Sequence, residues 1–172
     1  MPLPENDFDV TEVAVPWRLL TSAGHVVVFA TESGMLVPSA DPLLLRGVIF
    51  GQLGPESEAK TFYREMLGDA NYRAPLAWSA VSFEDFDGLI LPGGHAPGMR
   101  RYLSSATLGN KVARFLSLGR PVGAICHGVL VLARARDQAS GLSLLYGRRT
   151  TCLPKYMERS AYFATSWRLG RY

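Results

Sequence analysis

Gly119-Arg120-Pro121-Val122-Gly123-Ala124-Ile125-Cys126-His127-Gly128 is the stretch on which the fold turns. Pro121 to Ile125 is a short, mostly apolar run after the turn residue Gly119, and it reads as a buried strand. Helical apolar spacing resumes at Val129 and continues to Arg136. Cys126 stands at the junction, with small residues two before it (Ala124) and two after it (Gly128). Small neighbours let a chain turn sharply and present a reactive atom, which is the shape of a nucleophile elbow. A helix N-terminus and an adjacent base, His127, would both favour the thiolate. The backbone N–H of His127, the residue after the nucleophile, can point into an oxyanion hole. A cysteine alone at a strand end is more often a buried structural residue. Ala124, His127 and Gly128 together turn the reading towards a nucleophile.

Working outward, Gly88-Leu89-Ile90-Leu91 is a second strand that stops at Pro92-Gly93-Gly94-His95. The amides of Gly93 and Gly94 are unobstructed by side chains and form a second candidate oxyanion donor pair. Thr107 to Leu118 is an amphipathic helix, with Leu108, Val112, Phe115 and Leu116 on one side and Gly119 at its end. Nearer the start, Glu12 to Ala23 has helical spacing, with Thr11 or Asp9 as N-cap, Pro16 in about its first turn and Gly24 as a stop. His25 to Ala30 is β-branched and reads as a buried parallel strand. Residues 31–57 are loop-like with an apolar stretch from Leu43 to Phe50, and Glu58 to Leu67 reads as a helix. Gly141 to Thr151 suggests a short hairpin or strand, and Met157 to Tyr172 an aromatic, basic tail.

Strands alternating with helices through short glycine-bearing loops specify an α/β fold: a doubly wound, mainly parallel sheet with helices on both faces, in the manner of a flavodoxin-like sandwich. Functional residues in such sheets gather at the carboxyl ends of strands, where both glycine-rich ends fall. The 172 residues suit a single domain, 1–172.

The formal charge of +3 is carried mainly by late arginines, without a nucleic-acid motif beside them, so no nucleic acid is expected as partner. Two cysteines, an acidic, proline-containing N-terminus and no apolar run of membrane-spanning length lead to the expectation of a soluble cytoplasmic protein with no membrane partner. His25, His95 and His127 show no metal-ligand spacing among themselves, and neither metal nor cofactor is expected.

The segments Gly88–His95 and Gly119–Gly128 resemble the DJ-1/PfpI superfamily, part of the class I glutamine-amidotransferase-like fold. The resemblance extends from about Glu5 to Glu158 and is nearest to the stress-chaperone and glyoxalase branch. It implies that Cys126 is the nucleophile, His127 its base and Glu12 a glutamate bonded to the thiol. It implies an oxyanion hole from the amides of Gly94 and His127, with Gly93 and His95 as possible substrate contacts. The triad acid is Glu158 on the register of that branch, or a residue of a partner subunit as in some PfpI-like proteases. Cys152 falls at an often small family position and reads as structural. A homodimer and a small-molecule substrate are implied as partners.

The resemblance also implies that this chain lacks part of the family's first and last elements, since members begin with a full apolar strand and continue further. Pro2 and Pro4 suit a central strand poorly, and a missing strand leaves unpaired edges. The activity implied is cysteine-dependent chemistry on small reactive carbonyls (glyoxalase or deglycase) or on amide bonds. The alternatives are a non-catalytic stress-response, redox-sensing or chaperone module, and a glutamine amidotransferase. The downstream His-x-Glu pair of the amidotransferases is absent from this sequence.

Overall fold

The computed structural model describes residues 1–47, 54–151 and 155–169. Helix α1 (Val10–Ser22) opens where the Asp9 carboxylate accepts the amides of Thr11 and Glu12. The cap sets the start at Val10, so Pro16 falls in the second turn rather than the first. α1 turns Val10, Val13, Ala14 and Trp17 inward. Next come β1 (Ala30–Thr31), α2 (Pro42–Arg46), α3 (Ser57–Met66), α4 (Ala70–Arg73), β2 (Leu76–Ala77) and β3 (Leu89–Leu91). The second half adds α5 (Met99–Ser104), α6 (Ala106–Ser117), β4 (Val122–Ala124), α7 (Val129–Arg134) and α8 (Lys155–Leu169). α1 packs on α3, while α7 packs on α5 and α6. The result is the doubly wound α/β arrangement that the sequence implied.

Among the described residues both ladders are parallel but short. β1 pairs with β2 in the register Ala30↔Leu76, and β3 with β4 in the register Leu89↔Val122 to Leu91↔Ala124. The N-terminal segment lies between the two pairs. Pro2 bridges Ala30, Leu3 donates to the Ala30 carbonyl at 2.8 Å, and Asp9 donates to the Gly93 carbonyl at 3.0 Å. Met1 and Pro2 line a small cavity with Ala30, Gly88 and Leu89. Leu3 faces β1; in an extended chain Pro2 and Pro4 face the other way and have no N–H to offer. That is a physical reason for two two-stranded ladders in place of one continuous sheet.

The aromatic part of the core lies beside β1 and β2. Phe8, Phe29, Tyr72 and Trp78 are almost completely buried there, with Phe29 and Tyr72 edge-to-face at 5.1 Å. Their polar ends are satisfied: Trp78 Nε1 donates to the Ala30 carbonyl at 3.0 Å and the Tyr72 hydroxyl to the Pro38 carbonyl. Leu91, Leu108, Val112, Phe115 and Val131 fill the other half.

Several expectations need correcting. Of His25–Ala30 only Ala30 enters a ladder, and Val26 is 78% exposed, because the partner β2 is only two residues long. α4 and β2 were not foreseen; the Asp69 carboxylate nucleates α4 by accepting the amides of Asn71 and Tyr72. Of the apolar stretch Leu43–Phe50, Leu43 to Arg46 belong to α2, Gly47 caps it, and residues 48–50 lie outside the described residues. Gly141–Thr151 is a chain of turns with a single antiparallel bridge, Arg136↔Ser143, rather than a hairpin. The described part of the basic tail, to residue 169, is helical as α8. Among the described residues no helix is long and apolar enough to cross a membrane.

Candidate active site

β4 ends at Ala124, and two residues later Cys126 adopts φ 52°, a left-handed conformation uncommon for a residue with a side chain. One turn of 3-10 helix (Cys126–Gly128) follows and leads into α7. The elbow is held by close backbone approach. A Cβ on Gly128 would sit 2.0 Å from the Leu91 carbonyl oxygen, so only glycine fits between the ends of β3 and β4. A Cβ on Gly93 would lie 2.7 Å from the His127 amide nitrogen and 3.0 Å from Glu12 Oε2. These two positions bring both glycine-rich strand ends and the start of α1 to one point.

Glu12 reaches that point from α1. Its Oε2 accepts the Gly93 amide at 2.6 Å, and its carboxylate also accepts the Cys126 thiol. Burial, and then the charge of Asp9, push the Glu12 carboxyl up to about 7 against those two hydrogen bonds. Partial burial of the thiol, and then the Glu12 carboxylate, push Cys126 up to about 12, although the residue as a whole is exposed. The His127 amide donates to the sulfur and draws the thiol the other way, but more weakly. This corrects the expectation that the elbow alone favours the thiolate. α7 is short, and the acid standing beside the sulfur outweighs it. A proton on Glu12 removes that opposing charge, so the two groups titrate as a pair.

Cys126 Sγ lies 3.5 Å from His127 Nδ1. The His95 ring packs edge-on against His127, with centroids 4.5 Å apart and planes at 89°. Gly94, His95 and His127 line an open cleft of about 420 Å³, together with Arg100 of α5 and Arg159, Tyr162 and Phe163 of α8. Gly93 is buried, its amide taken by Glu12. Glu158 belongs to α8, one residue before Arg159, but its side chain lies outside the described residues, as does the whole of Cys152. His25 is exposed, as expected of a surface residue.

The structure therefore brings Cys126, His127, Glu12, His95 and Gly94 to one place. Sequence reasoning did not anticipate Tyr162 and Phe163 beside the histidines. The aromatic content of the tail was a signal, but its position was not. Nor did it anticipate that donor atoms of His95, Cys126 and His127 would all lie within 4.8 Å of one another. The spacing of the three histidines along the chain carries no trace of that cluster, because a cysteine supplies the third donor.

The model of one protein family, described as ThiJ/PfpI family-like, matches residues 3–172. An uncharacterized protein of Schizosaccharomyces pombe is 32% identical over 168 residues, which cover 93% of this chain and 60% of that protein. The chain thus spans about 60% of the length of this curated relative. A protein of Pyrococcus horikoshii named as a deglycase is 28% identical over 166 residues, or 96% of this chain and 78% of its own. Among solved structures, the glyoxalase III of Candida albicans superposes with a TM-score of 0.67 at 20% identity, covering 89% of this chain and 62% of its own.

Proposed function

This chain belongs to the ThiJ/PfpI family, and from that premise we propose that it is a cysteine-dependent enzyme acting on small reactive carbonyl compounds, of the glyoxalase or deglycase type. The observation that carries the reading is the left-handed Cys126 elbow, with its thiol bonded to Glu12 and 3.5 Å from His127 Nδ1 beside an open cleft. The names of the deglycase and glyoxalase III relatives support the same substrate class.

With a 2-oxoaldehyde, the sulfur adds to the aldehyde carbon as its proton leaves, giving a hemithioacetal. A base then removes the proton on that carbon, and the resulting enediolate is reprotonated on the adjacent carbon, leaving a thioester. Water hydrolyses the thioester to a 2-hydroxy acid and restores the thiol, so the net reaction adds one water to the substrate. Cys126 is the nucleophile. Glu12 and His127 hold and return the protons. The amides of His127 and Gly94 face the oxyanion. Glu158 orients His127; its place on the helix whose Arg159, Tyr162 and Phe163 line the cleft supports that role. The raised thiol favours a sulfur that ionises as substrate adds over a standing redox sensor, which needs a low thiol pKa. No cofactor enters the scheme, and the homodimer implied by the resemblance belongs to the same proposal.

The test is lactate formation from methylglyoxal without added glutathione. Wild-type protein should turn over, Cys126→Ala should fall to background, and Glu158→Gln should lose roughly 10²-fold or more. Absence of turnover in folded wild-type protein would sink the glyoxalase reading.

A further inference from the structure

We propose that His95, Cys126 and His127 form a binding site for one Zn²⁺ ion, whose occupancy masks the thiol. The three residues come from two strand ends, and one donor atom from each lies within 4.8 Å of the other two. Part of the set already has the spacing that zinc requires. Zn–S and Zn–N bonds of about 2.3 and 2.05 Å at a tetrahedral angle separate the sulfur and nitrogen by roughly 3.6 Å. Cys126 Sγ and His127 Nδ1 stand 3.5 Å apart.

The donor chemistry is selective. One thiolate and two imidazoles suit zinc and other borderline-soft ions, whereas calcium and magnesium require oxygen. Negative charge from Glu12 and Asp9 lies close enough to act on the sulfur, and it favours a cation there. Three protein ligands leave a fourth position for water on the side of the cleft that His95 and His127 line. His95 and Cys126 are exposed, so the ion can enter without opening the core. Binding replaces the thiol proton with the metal and releases the proton to solvent. The metal-bound sulfur no longer attacks carbon, so zinc holds the site in a reversible inactive state. The metal site stands whether or not the carbonyl chemistry proposed above is right, because its test reads the metal.

The full chain, stripped with EDTA and exchanged into chelator-free buffer, is titrated with Zn²⁺ against a chromophoric zinc indicator. Expected is one ion per chain, with affinity lowered at least about tenfold in each of Cys126→Ala, His95→Ala and His127→Ala. His25→Ala should bind like wild type. In Cys152→Ala, where Cys126 is the remaining thiol, Co²⁺ should give an intense near-ultraviolet sulfur-to-metal charge-transfer band, and Zn²⁺ should block alkylation of Cys126 by iodoacetamide. His95 is exposed, so His95→Ala is expected to fold, which near-ultraviolet circular dichroism checks. Stoichiometric binding that is unchanged in the folded His95→Ala variant would overturn the three-residue site. So would a Co²⁺ complex without the charge-transfer band, or no binding by wild type.

Discussion

The two parallel ladders share a topology and differ in what surrounds them. β1 and β2 stand beside Trp78, Tyr72 and Phe29, all essentially without solvent exposure, and the indole and phenol of this group are hydrogen-bonded to nearby carbonyls. β4, in contrast, has a half-exposed Val122 and Ala124 and an exposed Gly123, and it leads into an exposed cysteine. Aromatic burial stabilises the first region without offering any reactive group. In the second, an apolar core of Leu91, Leu108, Val112 and Phe115 lies beneath strand ends where glycines and a left-handed backbone present sulfur, imidazole and carboxylate together. The aromatic packing and the candidate site therefore centre on different ladders of one fold, with Trp78 in ring contact with Tyr102 between them.

That division can be broken in measurable ways. The largest stability effect is expected from Trp78→Ala, which removes a fully buried indole and should cost about 3–5 kcal/mol by denaturant unfolding. The alkylation rate of Cys126 in the fraction still folded should stay near the wild-type value. A proportional loss of reactivity would show that the two halves are one cooperative site.

Gly128→Ala is the converse experiment. Its methyl would meet the Leu91 carbonyl at 2.0 Å, so the elbow must shift, at a cost of roughly 2–3 kcal/mol. Here turnover should collapse even under conditions where the protein remains folded. Retained activity would mean that the elbow geometry is not what positions Cys126.

A smaller effect is expected from pH. Glu12 is raised from 4.5 to about 7 in the fold, so between those values the native state holds the proton more tightly than the unfolded chain does. In the metal-free protein, stability should be greatest below about pH 4.5 as far as this group is concerned. It should fall as pH rises to 7 and level off above that. With allowance for partial exposure, the change is on the order of 1–2 kcal/mol. Glu12→Gln, which mimics the neutral acid, should flatten that slope; a wild-type slope in the variant would assign the effect elsewhere.

Of similar size is the effect of Tyr72→Phe. It deletes the hydroxyl that donates to the Pro38 carbonyl, and an unfolding loss of about 1–2 kcal/mol is expected with no change at the site. A change in turnover would connect the aromatic half to catalysis.

Much of this was legible in local pattern. The cap at Asp9, offered together with Thr11, the helical stripes, the β3 run of apolar residues and the small residues flanking Cys126 are all features of neighbouring positions, and each pointed to the element found. The short ladders were harder to read. Val26 and Val28 have strand-like side chains, but whether they pair depends on a partner elsewhere in the chain, and β2 offers only two residues. α8 was missed because its apolar residues do not collect into a clear stripe, so period alone does not announce it.

By itself the sequence determined the fold class, the family likeness and the place of the candidate nucleophile, Cys126, because periodicity, capping and the steric needs of a tight turn act over a few residues. Only the tertiary structure decided the protonation of that cysteine. Glu12 and Gly93, 81 residues apart, meet over the sulfur, and His95 closes on His127 from another strand end. Desolvation and charge act through space, so the proton on Cys126 is set by residues that its own stretch of chain does not contain.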